Sequence, residues 1–445
     1  MNDLRRFFAH FATIALIVSW VAFPAICQSQ HTDDHDPDQS EHQADTSHSK
    51  EGHDDHADGI HTCHFHEDII EEEYDATSSA FHHIADANVY SIGSFNFPLP
   101  CILYAKGQGW DIFSSGRFNF NFYGHGEGHT AYNRYVLDAG SVKRVQDSSF
   151  PMGEVELDGY FHEEKMVEGK NVFNAYACHA GKQYLLDPQS TADGGLFGGG
   201  ITSFYDFSIT KNVLTMILIS LLLAWAFFGI AKAYRNRAGM APRGLQSFIE
   251  PIFLFIQDEV AKPFLGKKWE KFFPLLLSLF FFILALNLFG QIPFLGGSNV
   301  TGNLAVTAVL AIIAFIVVTV NGNKHYWNHI LWMPGVPAIV KIIILTPVEI
   351  LGIFIKPFTL MLRLFANITA GHIVVLSFVG LIFIFGKMGR SIGGAAAGLV
   401  MSVPLTIFIM AIELLVAFIQ AYVFTLLVAS YIGAATEEAH HPEKH

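Results

Sequence analysis

The sequence predicts a mainly α-helical membrane protein that carries a small β-rich domain on its outer side. Three observations predict it. Hydrophobic residues make up 51% of the chain, with 41 Phe, yet the net charge is −13, so apolar and acidic residues must occupy different regions. Apolar runs long enough to cross a hydrocarbon layer fill the second half. Between about Ala80 and Phe204 the texture is instead short apolar runs broken by Gly, Pro and Asn. The full expectation is five transmembrane helices, the last two long, tilted and antiparallel, plus an amphipathic helix at the inner interface. An exported β-rich domain and a disordered acidic, His-rich segment precede them. The expected limits are 1–28 for a signal peptide, 29–78 for the disordered segment, 79–205 for the β-rich domain and 206–445 for the membrane domain.

At the N-terminus, Arg5 and Arg6 precede an apolar run from Phe11 to about Pro24, followed by small residues up to Cys27. That is the layout of a secretory signal peptide, with an uncleaved anchor as the alternative; either one exports the region behind it. Residues 31–74 hold 15 Asp or Glu, nine His and one basic residue, Lys50. Such a tract buries too little apolar surface to offset its ordering entropy. Its imidazoles suit loose binding of zinc, copper or nickel, although a solvated tail is the stronger reading and no cofactor is expected. In the β-rich region, SIGSFNFPLPCILYA and GEVELDGYF read as strands, with GQGW and DAGS as turns. His125 and His129 lack a Cys or carboxylate framework and read as a surface loop. The four Cys show no CxxC spacing; Cys101 and Cys178 are one conceivable pair, and Cys63 is another candidate.

Asn212–Ala231 is an uncharged stretch of membrane-spanning length, and Lys232, Arg235, Arg237 and Arg243 behind it place that end inside. Residues 245–273 put apolar positions at helical spacing with charges opposite, as in an interfacial helix. Phe272–Gly290 returns outward and Asn303–Val320 crosses back, followed by Lys324, His325, Trp327 and Trp332 at an interface. The last two apolar stretches, about Ile344–Phe385 and Ala396–Ala434, are each roughly 40 residues, which as helix is on the order of 60 Å. That is twice a bilayer's span, so each stretch is either broken into two spans or steeply tilted, and with no polar loop inside either one tilt is the preferred reading. Pro347, Pro357 and Pro404 kink such helices without ending them. The linker GKMGRSIGGAA makes the two stretches antiparallel neighbours.

Arg363 sits inside the first of these stretches. A guanidinium keeps its charge, and holding it at mid-depth costs several kcal/mol or more, so it marks function. Asn367, one turn on, shares its face. The sequence midpoints of Arg363/Gln420 and of His372/Glu413 both fall on the Gly-rich linker, so a hairpin puts each pair level. The His372/Glu413 level lies roughly 10–13 Å nearer the turn. Glu349 lies about 21 Å from Arg363 toward the inner side. A His–Glu pair is suited to passing protons because each tunes the other.

Three segments, TPVEILGIFIKPFTLMLRLFANITAGH (346–372), NLFGQIPF (287–294) and ELLVAFIQAYVFTLL (413–427), closely resemble subunit a of F-type ATP synthases. The resemblance covers about residues 205–435 and says nothing of the first 200. It implies two tilted helices against a ring of c subunits, b subunits and the rest of the complex as partners, and a bacterial plasma membrane with the C-terminus in the cytoplasm. It implies that Arg363 faces the ring carboxylate, with Asn367 and Gln420 as polar neighbours. His372 and Glu413 would line an outer half-channel, and Glu349 and Lys356 would approach an inner one. Other classes fit less well. The acidic balance argues against a nucleic-acid partner. The hydrophobic segments show no internal repeat of the transporter kind, and the membrane half has no HExxH or G-x-S-x-G motif.

Overall fold

The computed structural model describes residues 63–65 and 86–437, apart from short internal stretches at 93–94, 122–125, 168–169, 191–201, 238, 293–297, 332–337, 341–342, 344 and 387–390. The expected signal peptide and nearly all of the acidic tract lie outside the described residues.

The N-terminal part is β-rich, with twelve strands in four small antiparallel sheets among the described residues. One sheet has the order β12–β3–β4, formed by Phe204–Asp206, Pro100–Ala105 and Gly109–Ser114. Along β3, Cys101, Leu103 and Ala105 are fully buried while Ile102 and Tyr104 point away, the two-residue period of a strand. Turn chemistry sets the hairpins. GQGW closes β3 onto β4 with Gly107 and Gly109 at positive φ, and DAGS closes Tyr135–Asp138 (β6) onto Ser141–Arg144 (β7) with Ala139 and Gly140 both at positive φ. Leu103, Phe118, Tyr135, Leu137, Val142 and Phe204 form one core, and a second gathers Val145, Phe150, Tyr160, Ala177 and Leu186. Buried Asp138 receives Lys143 at 2.7 Å and His162 at 3.1 Å; the Lys143 charge and the His162 hydrogen bond hold its carboxyl well below the usual range despite burial.

The structure settles the cysteine pairing that the sequence left open. Cys178 is bridged to Cys63, and Cys101 is a free, buried thiol on β3. Disorder therefore does not extend through Cys63–Phe65. His64 pairs with Tyr160 through two backbone hydrogen bonds, and Phe65 packs on Tyr160 and His129. Gly159 makes this docking fit: a Cβ there would lie 2.7 Å from the His64 carbonyl carbon, and its φ of +138° suits glycine alone.

The β-rich part runs into the helical part without slack. Beyond β12, Phe207 and Ile209 donate to Ile102 and Pro100 carbonyls, and helix α1 (Lys211–Asn236) starts two residues later. Helices α2 (Leu245–Phe255) and α3 (Trp269–Gly290) come next, then α4 (Leu304–Val320), α5 (Lys324–Leu331), α6 (Thr346–Gly386) and α7 (Ile392–Thr436). Among the described residues, four helical runs are long and apolar enough to cross a membrane: Lys211–Asn236, Leu245–Gly290, Thr346–Gly386 and Ile392–Thr436. Leu304–Val320 is a shorter apolar helix, capped by the Asn303 side chain, which accepts from Ala305 N–H. The amphipathic stretch precedes α3 and reaches it through a π-turn at Ile256–Ala261, a short helix at Lys262–Leu265 and a polar 3₁₀ turn at Gly266–Lys268, where Gly266 has a φ of +50°.

Helix α3 is the apolar centre, with Leu276, Phe280, Phe282 and Ile283 fully buried. Helices α6 and α7, 41 and 45 residues long, pass over Pro357 and Pro404 without a break and form the antiparallel hairpin. Gly386 meets Ala395 near the turn, Gly371 meets Glu413 and Lys356 meets Tyr431, all on the register expected from the linker.

Candidate functional site: polar residues along the α6–α7 hairpin

Helix α6 sets Lys356, Arg363 and Asn367 two turns and one turn apart, on one side of the helix. Leu360, Leu364 and Ile368, on the adjoining side, are buried against the rest of the chain. Arg363 and Asn367 are exposed, with Leu362 and Phe358 beside them, and α7 adds exposed Leu414, Leu415 and Ile419. The hairpin thus presents a long apolar surface interrupted by one guanidinium and one amide. Gln420 lies within about one turn of the Arg363 level on the register set by Gly371/Glu413 and Lys356/Tyr431. It is buried, and among the described residues no hydrogen bond joins it to Arg363.

Toward the α6–α7 turn, a small cavity brings together Asn367, His372 and Glu413, with Gln291, Ile368 and Val416 completing its lining. Gln291 donates to the Glu413 backbone carbonyl at 2.8 Å, fixing α3 against α7. Glu413 Oε1 is buried and has no hydrogen-bond partner among the described residues, which leaves it free to take a proton. Two glycines make the room. A Cβ on Gly371 would collide with the Glu413 carboxylate, and one on Gly290 would crowd the Ser298 carbonyl and lie 3.7 Å from His372 Nε2.

In the other direction along α6, a second cavity is lined by Lys356, Pro357, Tyr326, Thr319, Phe315 and Tyr431. Lys356 Nζ stands 5.4 Å from the Tyr431 ring centre. Glu349 is within electrostatic reach of Tyr326, and Arg363 of Tyr431. Arg363 is about 10 Å along the helix from Lys356 and about 13 Å from His372. No residue lines both cavities.

Several polar residues at this site were not singled out from the sequence. Gln291 and Asn287 stand in the NLFGQIPF segment, where apolar neighbours mark a membrane amide as purposeful; buried Asn287 donates to the Ala417 carbonyl at 3.2 Å. Tyr326 and Tyr431 also line the second cavity. Lys211 is electrostatically coupled to His372, and Asn212, at the start of the uncharged run, accepts from Ser298 Oγ at 3.0 Å. Asn212 N–H in turn donates to the Asp86 carboxyl, so polar groups connect the β-rich part to the His372 neighbourhood. Burial pushes Asp86 and Asp206 up to about 6. Among the described residues no group of three His, Cys, Asp or Glu is placed to hold a metal ion.

Comparison with known proteins fits this geometry. The family model described as the ATP synthase A chain matches residues 213–433, and a domain of unknown function matches residues 79–191. ATP synthase subunit a of Chloroherpeton thalassium is 40% identical over 245 residues, covering 54% of this chain and 71% of the relative. ATP synthase subunit a 2 of Chlorobaculum tepidum is 40% identical over 254 residues, 54% of this chain and 67% of the relative. The Myxococcus xanthus subunit a is 38% identical over 306 residues, covering 67% of this chain and 93% of the relative. On that likeness, which spans the α6–α7 hairpin and the helices that hold it, the chain belongs to the ATP synthase A chain family.

Proposed function

We propose that Arg363 is the fixed charge of this Fo subunit a, the non-catalytic proton-translocating subunit of ATP synthase, and that it separates two proton paths. His372 and Glu413, with Asn367 beside them, form the outer path; Lys356 and Glu349 form the inner one. Gln420 stiffens the hairpin at the Arg363 level. The observation that carries this reading is the pair of separate cavities on either side of the Arg363 level.

A carboxylate on the c-ring cannot enter lipid charged, but its protonated form can. Protons that enter past His372 and Glu413 neutralise it, and the ring turns away from the hairpin. On its return the carboxyl meets the inner path and loses its proton. Arg363 then pairs with the carboxylate, and its permanent charge repels a proton moving straight from one cavity to the other. Each proton crossing 100 mV contributes about 2.3 kcal/mol, so several are needed per ATP.

The same reading fixes topology. Five crossings, with the 17-residue α4 among them, and residues 245–268 along the inner interface leave the β-rich part outside. The basic cluster after α1 supports that orientation, and so does a disulfide in the β-rich part, since such bonds persist in exporting compartments. The 1–28, 79–205 and 206–445 limits belong to this proposal, and so does disorder over 29–78 apart from Cys63–Phe65.

Replacing Arg363 with Ala in the reconstituted complex should abolish ATP-driven proton pumping while the complex still assembles. Undiminished pumping would refute the assignment.

A further inference from the structure

The β12–β3–β4 sheet has an outer face that a water-exposed sheet does not have. One face of these strands carries Cys101, Leu103, Ala105, Phe113 and Phe204, all in the core. The other should alternate to polar residues if it met water. It does not. Strand register places Tyr205 beside Tyr104 and Tyr104 beside Trp110, with Ile102 beside Ile112. Phe207 packs on Trp110 at 5.5 Å, and Tyr104 packs on Trp110 at 5.1 Å. Trp110 is 60% exposed, Ile112 72% and Tyr205 39%. The charged residues of these strands, Asp111 and Asp206, stand in register with Leu103 on the core side, so the outer face carries no charge. Scattered exposed apolar residues need no explanation, but a contiguous, uncharged, aromatic sheet face does.

Its position says what covers it. Phe207 is still hydrogen-bonded to β3, and the uncharged run of α1 begins five residues later at Asn212. Five residues of chain reach at most about 18 Å. The face therefore lies within about 18 Å of chain of the start of a helix long and apolar enough to cross a membrane, and that helix exposes Leu218, Leu221 and Trp225. Tyr and Trp favour this level because the ring is apolar and its OH or N–H can stay hydrated.

We propose that the Tyr104–Trp110–Tyr205 face lies in the headgroup region of the bilayer on the side where α1 begins, so that the β-rich domain rests on lipid as well as on the helices. This goes beyond family membership, because it concerns the β-rich region and a lipid contact.

The test uses the whole complex in liposomes, with a nitroxide on Ile112→Cys, a site exposed enough to tolerate the change, and a control nitroxide on Glu154→Cys. Collision rates with oxygen and with a water-soluble nickel chelate are compared. The expected result is that oxygen outcompetes the chelate at 112, whereas the chelate dominates at 154. A chelate-dominated signal at 112 means a water-exposed face and overturns the proposal. Low rates with both reagents mean a protein cover, which overturns it equally. Should the labelled variant not assemble, difference fluorescence between wild type and Trp110→Phe decides. Brominated lipid should quench the Trp110 component, and an unquenched component counts against the proposal.

Discussion

Gly371 is a position at which a single added carbon would disturb the His372–Glu413 cavity. Its Cα faces the Glu413 carboxylate so closely that alanine has nowhere to put its methyl group. Overpacking of this kind costs about 1–3 kcal/mol and here would be relieved by pushing Glu413 away from His372. Gly371→Ala should cut ATP-driven proton pumping by about tenfold while leaving assembly intact, and wild-type pumping in vesicles would argue against the packing described. Asp86 and Asp206 give a prediction of another kind. Burial raises both carboxyls from 3.8 to about 6, so the folded state holds their protons more tightly than the unfolded chain does. Their contribution to stability is then fully present below about pH 4, declines as pH rises toward 6, and is level above that. Amide exchange at the strand-to-helix junction, corrected for intrinsic rates, should show opening that grows from pH 4 to 6. Asp86→Asn should reduce that dependence and leave the part due to Asp206; an unchanged profile would mean that the Asp86 carboxyl is not buried as described.

At the scale of elements, the apolar runs were legible because membrane helices must satisfy their own backbone and so announce themselves by length. The two 40-residue stretches, the prolines inside them and the level pairing of His372 with Glu413 all come from periodicity and one linker. Their ends were less legible. The second long helix begins at Ile392, inside the segment GKMGRSIGGAA that reads as linker, because Gly394 and Gly398 pack against Phe385 and Ile382 across the hairpin. Glycine there permits close helix contact, and composition alone does not separate that use from a turn. The hairpin is directly testable. A Cβ on Gly386 would stand 3.1 Å from the Ala395 Cβ, within adjustment of the roughly 3.8 Å of a disulfide. Gly386→Cys with Ala395→Cys should cross-link on oxidation; failure to do so, with each single variant active, would contradict the register. The candidate site divided in the same way. Arg363, His372 and Glu413 stood out as costly polar residues among apolar ones, whereas Tyr326, Tyr431 and Lys211 gain their meaning only from neighbours distant in sequence.

For the molecule as a whole, the sequence texture announced a β-rich part ahead of a helical one, but not how the four sheets pair or which cysteines join. Strand order and disulfide partners depend on contacts between remote residues, and no local signal chooses Cys63 over Cys101. The bond that forms spans 115 residues and fastens Cys63–Phe65 to the β-rich part. A bridge of that span stabilises by about 4–5 kcal/mol in the chain-entropy account. Cys63→Ser should therefore lower the thermal midpoint of the β-rich part while leaving proton pumping in the assembled complex near normal. An unchanged midpoint would show that the docking of His64 and Phe65 suffices alone.

The last strand passes into the first membrane helix through residues that are hydrogen-bonded all the way, so the β-rich headpiece is tied to the helix start at several points. Asp86 grips the helix start, and β3 grips the strand up to Ile209. On the proposed topology, a sideways push from the turning rotor on the helices is passed to the headpiece as a lean. A fluorophore fixed there would work as a gauge of torque.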